Sequence, residues 1–544
     1  MVDQRIKLYT STNHNVDDCK MELRNIIRHD MTLKKHYPII WQRLISHLSE
    51  KSETTAQQKA LRHQLDYCYS ELMDHYFEYV LEDLCDDIIK PDEKSVIRRT
   101  NQLISCLVTM GWSTQALSGV VNDLYDSRNN SEKWNIFKAH LLSNQQHSFN
   151  VYIPIKVSPK PVAHYAKPLL KEKFHRQLED MGIPVINHTE LKAELPSNAV
   201  KQIENRNYMV VQMDAIDYYS ASRNAIAKCS EAMSLLSFYN SIEAWDINEL
   251  TWIVINNETR SFQRVKYSEI YGTYDYLEGA YGLINASKDI MKSESSVQRK
   301  LRAAFSYSNM GKASSAQEEK FINTWVALES LCRGSAYDNI ISNVLETVPP
   351  ALCSRYIYKL FRNFIEDCRR CKVEFVFSSG NLFENKSTKE DCVRAVIEAM
   401  KNSTIYNELL IKCSSCKLLK NRCEELHDLA TNPQKLYERI ERHNINVRLQ
   451  LSRLYRIRNE IAHDALGAAG SLLMYIEHLD DYLAGVVAEI VMCAEKKQID
   501  DIETIFEIIK DNYQEFLDIK NAKKGANPIS LLNELLECGI INLI

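Results

Sequence analysis

Hydrophobic residues recur every three to four positions along most of the chain, a spacing that places them on one face of a helix. Before residue 145 this pattern predicts helices over 32–48, 55–85 and 94–122, with short polar segments between them. We therefore expect a helical N-terminal region over residues 1–145.

The pattern changes after residue 145, where β-branched and aromatic residues become frequent. Four segments have a strand pattern: 148–157, 207–216, 251–256 and 262–267. A helical pattern covers 221–239, between the second and third of them. Strands interleaved with a helix predict a small α/β or α+β module over 146–300, and we take α/β as its class.

Helical spacing returns after residue 316 and continues to the end of the chain. It predicts helices over 316–332, 434–466 and 471–494, with a glycine-broken turn at 467–470. We expect a helical-bundle domain over 301–495 with an insertion at about 335–430, followed by a helical C-terminal tail over 496–544. The predicted fold class is thus mainly α and multidomain.

Composition and charge narrow the classes of function. The 544 residues include only 14 Gly and 12 Pro. Their combined share is well below the roughly 12% that Gly and Pro make up in an average protein, which fits long helices. No apolar segment resembles a secretory signal or reaches the roughly 20 residues of a membrane helix, so we expect a cytoplasmic protein without a membrane partner. The net charge of −5 requires a local basic patch if a nucleic acid is bound.

One short stretch, LYRIRNEIAHDAL at 454–466, carries candidate chemistry. Arg458 is followed by Asn459 and, after three more residues, by His463. An amphipathic helix follows, and the segment FINTWVALESL lies upstream at 321–331. This combination resembles the HEPN (higher eukaryotes and prokaryotes nucleotide-binding) domains, in particular the ApeA-like HEPN proteins of bacterial phage defence, over about 316–495.

The resemblance implies a homodimer in which two copies of the motif face each other across a cleft. It implies cleavage of RNA, with tRNA as one candidate, by attack of the ribose 2′-OH on the adjacent phosphate, without a metal or other cofactor. His463 would exchange protons, Arg458 would bind the phosphate and Asn459 would orient either. A defence toxin must be silent by default, so we expect a phage-derived or host trigger to act at the N-terminal region.

A helical wheel does not decide which arginine is catalytic. It puts Arg458 in the apolar stripe of the helix, and it puts Arg456, Asn459 and His463 on the opposite, polar face. Arg456 therefore competes with Arg458 for the catalytic role. A buried Arg458 would need a carboxylate partner, and Glu329 is the candidate.

The helix is also basic, since residues 434–460 contain seven Lys or Arg and three Glu. Such a strip attracts phosphates, so Arg442, Arg448 and Arg453 are candidate RNA-binding residues. The alternative is a solvated helix face with pairs such as Glu438 with Arg442. The corresponding alternative function is a non-catalytic HEPN scaffold for dimerisation or RNA binding.

Cysteines form a second group of interest. Two C-x2-C pairs, Cys368 with Cys371 and Cys413 with Cys416, precede Cys423. Zinc would need four converging ligands, but a continuous helix over 413–427 would spread its cysteines and His427 over three to four turns. We therefore expect these cysteines to fill a core stripe and predict no metal site.

Overall fold

A computed structural model describes residues 13–50, 55–73, 75–89, 93–126, 138–139, 141, 146–158, 167–195, 197–238, 244–247, 250–255, 262–266, 290, 294–314, 316–332, 334, 340–386, 389–464 and 472–522. The protein is mainly helical with a small antiparallel sheet, which confirms the coarse prediction. The predicted turn at 467–470 and the tail beyond residue 522 lie outside the described residues. The predicted domain boundaries stay predictions.

The N-terminal helices are α1 Asn13–Arg28, α2 Met31–His36, α3 Pro38–Ser49, α4 Thr55–Met73, α5 Tyr76–Ile89, α6 Glu93–Met110 and α7 Thr114–Asp126. They are shorter than predicted because chain breakers divide them. Pro38 starts α3 at the position where the missing N–H costs nothing. Gly111 ends α6 with φ of +111°, and Trp112 N–H donates back to the Leu107 carbonyl, a glycine-dependent helix end.

The sheet contains β1 His147–Ser158, β2 Val185–Asn187, β3 Asn207–Ala215, β4 Ala244–Ile247, β5 Leu250–Ile255 and β6 Phe262–Lys266. Its order is β2-β3-β1-β5-β6, with β4 also beside β1, and every pairing is antiparallel. The predicted α/β class is therefore wrong for this module, and its sheet is of the α+β kind. The helices here are α8 Lys167–Asp180, α9 His188–Glu194, α10 Ser197–Val200 and α11 Tyr218–Phe238.

Asp217 connects this module to the N-terminal helices. One carboxylate oxygen accepts from the Ser113 backbone N–H at 2.9 Å and the other from its hydroxyl at 2.8 Å. The same carboxylate caps α11 through the N–H groups of Tyr219 and Ser220. Asp217 thus caps α11 directly and holds Ser113, whose hydroxyl caps α7 by accepting from the Ala116 N–H at 3.0 Å.

The remaining helices are α12 Ser296–Ala313, α13 Gln317–Cys332, α14 Ile340–Ser354, α15 Tyr356–Arg370, α16 Lys389–Lys401, α17 Ser403–Cys413, α18 Lys417–Thr431, α19 Pro433–Asn459, α20 Leu473–Lys497 and α21 Ile502–Ala522. A short antiparallel ribbon follows α15. Its two strands, β7 Val376–Phe377 and β8 Gly380–Asn381, have two residues each. Among the described helices, none combines the length and apolar character needed to cross a membrane.

Two apolar cores lie within these C-terminal helices. The first contains the fully buried Trp325 and Phe321 of α13 and draws on α12, α14, α19, α20 and α21. The second is built from α15 to α18 with the start of α19. A Cβ at Gly485 of α20 would lie 2.5 Å from Cδ2 of Leu352, so glycine allows α20 to approach α14 closely. Helix α19 spans both cores.

Candidate functional site

The candidate motif lies at the C-terminal end of α19. Pro433 occupies its first turn, and the Asn432 side chain accepts from the N–H groups of Gln434 and Lys435 at 3.1 and 3.2 Å. No glycine or further proline interrupts the helix, so it continues for 27 residues, roughly 40 Å. It thereby carries the motif away from the second core and into the first.

The helix changes its winding where the motif begins. The Glu460 N–H is shared between the carbonyls of Arg456 and Ile457, and Glu460–Asp464 form a π-helical turn. A π turn holds more residues than an α turn, so later side chains no longer advance by 100° each. The helix predicted over 434–466 is present as far as Asp464, but with π winding after Asn459. The wheel position assigned to His463 assumed regular α winding and stays a prediction.

Arg458 and Asn459 contact each other at this transition. Nη1 of Arg458 donates to Oδ1 of Asn459 at 3.1 Å, and both side chains are half-buried. Nε of Arg458 is buried and has no hydrogen-bond partner among the described residues. His463 lies in the π turn, but its side chain is outside what the structure describes, so its meeting with Arg458 stays a prediction.

Arg456 is the more buried of the two competing arginines. It is 5% exposed, and its Nη1 has no hydrogen-bond partner in the described part of the chain. The wheel prediction that Arg456 lies on a polar face is wrong, because α19 is covered on more than one side. A buried guanidinium with an unused donor is a costly arrangement for the fold alone.

Glu329 has a different partner from the one predicted. Its carboxylate accepts from Nε1 of Trp325 at 3.0 Å, and no ion pair between described residues joins it to Arg458. The Trp325 ring packs against Tyr455 of α19, with centroids 5.7 Å apart. Glu329 therefore fixes the indole that supports the motif helix, and Arg458 does not depend on it.

Arg448, a predicted RNA-binding residue, serves the fold. Pro349 has no N–H, so the carbonyl four residues earlier, that of Leu345, loses its helical partner. Nη1 of Arg448 donates to that carbonyl at 2.9 Å, and Nη2 contacts the Glu346 carboxylate at 2.8 Å. The guanidinium thus replaces a hydrogen bond that the proline removes.

The other two predicted RNA-binding arginines differ from each other. Arg453 forms an ion pair with Glu22 of α1, and both side chains are largely buried. Arg442 is exposed and has no ion-pair partner among the described side chains. The suggested pair with Glu438 is not formed there, since Glu438 accepts from Gln434 at 2.7 Å. Most of the basic strip is therefore neutralised.

No protein-family model matches this chain. Comparisons with curated proteins and with solved structures also return no match. The assignment of chemistry to the motif accordingly depends on the residues themselves and on the resemblance drawn from them.

The cysteines do not follow the predicted continuous helix. Helix α17 ends at Cys413 and α18 begins at Lys417, so the chain turns between the cysteines. Cys413 and Cys423 are buried in the second core. Nδ1 of His427 donates to the Met400 carbonyl at 2.7 Å. Within the described residues no group of three or more His, Cys, Asp or Glu side chains is arranged to hold a metal ion.

Glu22 lies near the motif, although the sequence pattern does not indicate it. It belongs to α1, a helix that the hydrophobic pattern did not predict. Leu449, Arg453 and Arg456 follow one another at spacings of four and three, so they share one face of α19. Because Glu22 contacts Arg453, α1 covers this face, and no local sequence signal identifies such a distant partner.

Proposed function

We propose that the chain is a metal-independent endoribonuclease of the HEPN type, acting as a homodimer in the cytoplasm. RNA, with tRNA as one candidate, would be cleaved by attack of a ribose 2′-OH on the adjacent phosphate. This nucleophile is tethered beside its target, so the protein needs to supply only proton exchange and positive charge.

One observation carries the proposal: a buried arginine with an unused donor lies just upstream of a π turn that contains a histidine. Single π turns inside α-helices are frequently found at functional sites. Among the described residues the Arg456 guanidinium has no partner at Nη1, and a phosphate oxygen would supply one. Arg458 offers a second guanidinium with an unused Nε, and His463 would act as acid or base.

The ion pair between Glu22 and Arg453 supports a regulated enzyme. A carboxylate and a phosphate compete for the same guanidinium, so docking of α1 opposes binding of RNA at Arg453. The proposed biological role is a defence toxin whose N-terminal region keeps it silent. A phage-derived or host trigger would act by withdrawing α1.

The test is RNA cleavage by the wild-type 544-residue chain and by its His463→Ala variant, with EDTA present and the product ends analysed. We expect wild type to leave a 2′,3′-cyclic phosphate and a 5′-OH, and His463→Ala to be inactive. His188→Ala, which changes a half-buried histidine at the start of α9, is the matched control and should cleave normally. Arg456→Ala and Arg458→Ala then distinguish the two arginines.

A non-catalytic HEPN scaffold is the second candidate, and the neutralised basic strip favours it. Arg448 and Arg453 are both engaged by carboxylates, as a structural helix would require. If wild type produced together with an infecting phage cuts no RNA, and His463→Ala behaves identically in the same assay, the scaffold should replace the enzyme.

A further inference from the structure

Helix α12 carries positive charge and no acidic residue. Its 18 residues contain neither Asp nor Glu, and their basic side chains are Arg299, Lys300, Arg302 and Lys312. Arg299, Arg302 and Lys312 are exposed, and Arg299 and Lys312 form no ion pair with a described residue. In a chain whose net charge is −5, such a helix attracts anions locally.

An aromatic ring lies between the cations on the exposed side of this helix. Arg302, Phe305, Asn309 and Lys312 follow one another at spacings of three, four and three, so they share one face. Phe305 is 39% exposed, although phenylalanine is usually buried. Arg302 lies about one turn before this ring and Lys312 about two turns after it. The face therefore presents a charge, a ring, an amide and a second charge over roughly 15 Å.

The other side of α12 belongs to the first core. Leu301 and Ala304 are buried there, and a Cβ at Gly311 would lie 3.2 Å from the Lys320 carbonyl oxygen of α13. Helix α13 in turn packs against the motif helix α19 through Trp325. Only the basic and aromatic side of α12 can therefore meet a ligand, and that ligand would lie one helix away from the motif helix.

We propose that this face of α12 binds single-stranded RNA, with a base stacked on Phe305 and phosphates held by Arg302 and Lys312. An unpaired base has an apolar face and lies between two phosphates, which matches a ring between two cations. The Asn309 amide has both donors and an acceptor for a base edge. The choice of RNA rests on the proposed function, and the face would hold the substrate strand near the motif.

Two other partners fit this face less well. A membrane surface is bound by a helix with a wide apolar face, and the apolar side of α12 is buried in the first core. A second copy of the chain, docked through the same face about a two-fold axis, would bring its cations against those of the first copy, and like charges oppose association. A flexible polyanion with accessible rings meets both conditions.

The experiment measures binding of a fluorescein-labelled single-stranded oligoadenylate to the 544-residue chain carrying His463→Ala, so that cleavage does not interfere. We expect Phe305→Ala to weaken binding about tenfold and to leave its salt dependence unchanged, because the ring carries no charge. Lys312→Ala should lower the slope of log affinity against log salt by about 0.7, since one phosphate contact is lost. Phe305→Tyr retains a ring and should bind as the parent does.

Two further variants serve as matched controls. Tyr67→Ala and Lys201→Ala each change an exposed side chain outside α12, and both should bind oligoadenylate with unchanged affinity and salt dependence. Far-UV circular dichroism shows whether each variant is folded. Because Phe305→Tyr keeps the ring in place, recovery of binding in that variant assigns the loss in Phe305→Ala to the missing ring.

Two results would overturn the proposal. One is an oligoadenylate affinity that neither Phe305→Ala nor Lys312→Ala reduces, or no binding by the parent chain. The other is binding of anionic phospholipid vesicles that Phe305→Ala abolishes while oligoadenylate binding persists, which would assign the face to a membrane. Failure of the proposed ribonuclease gives a different result, namely no cleavage by wild type together with RNA binding that still depends on Phe305.

Discussion

Replacing Arg456 with methionine tests whether this arginine serves function or the stability of the fold. Arg456 is 5% exposed and its Nη1 has no partner among the described residues. Methionine keeps an unbranched apolar stem and removes the guanidinium. If the guanidinium is retained for an anionic substrate, its removal should stabilise the substrate-free protein and abolish RNA binding and cleavage.

The size of the stabilisation follows from the burial. A buried donor without a partner costs roughly 1–3 kcal/mol, and exchange of a buried charged group for an apolar one of similar volume is neutral or stabilising by about 1–4 kcal/mol. Methionine fills less volume than arginine, so the cavity that it leaves offsets part of this stabilisation. We therefore expect Arg456→Met to raise the free energy of unfolding by about 1 kcal/mol, or roughly 2–4 °C in Tm.

The assay is urea unfolding followed by far-UV circular dichroism, together with RNA binding and cleavage. Arg448→Met is the matched control, because that guanidinium donates to Leu345 and Glu346, and its removal should destabilise by about 1 kcal/mol. A loss of stability in Arg456→Met as large as that of the control would show that Arg456 serves the fold. Unchanged RNA cleavage in Arg456→Met would remove it from the site.

Three further predictions test other parts of the molecule. Arg99 contacts Asp83, whose side chain is 1% exposed, at 2.7 Å, so Arg99→Ala should cost about 3 kcal/mol in urea unfolding; a loss within error would contradict the buried pair. Glu22→Gln should tighten RNA binding and steepen the slope of log affinity against log salt by about one, since Arg453 is released; an unchanged slope would refute this. Burial lowers the pKa of His443 to about 4, below its unfolded value of about 6.5. The unfolded state therefore takes up the proton first, and stability falls by up to about 3 kcal/mol between pH 6.5 and pH 4; His443→Phe should flatten that part of the curve.

Much of the secondary structure could be predicted from the sequence because it depends on local patterns. The strand pattern at 207–216 corresponds to β3, and the helical pattern at 221–239 corresponds to α11. Helix ends were predicted less well. The breaks at Pro38 and Gly111 carry local signals that a search for hydrophobic spacing alone passes over.

The candidate site was harder to predict because its geometry depends on distant contacts. A helical wheel assumes one buried face and constant winding, but α19 is covered by α1 near Arg453 and winds differently after Asn459. The role of Arg448 depends on a proline in another helix, which frees the carbonyl that the guanidinium contacts. Neither contact leaves a trace in the spacing of residues around the motif.

If the chain binds RNA as proposed, RNA binding and docking of α1 belong to one equilibrium. Glu22 and an RNA phosphate cannot both occupy the Arg453 guanidinium, so each must weaken the other by the same factor. A trigger that withdraws α1 would raise RNA affinity, and RNA would in turn favour the undocked helix. Limited proteolysis of the N-terminal helices should therefore accelerate when RNA is added to the inactive His463→Ala protein. Protection by RNA instead would mean that α1 belongs to the bound state, and the proposed inhibitory role of the N-terminal region would have to be abandoned.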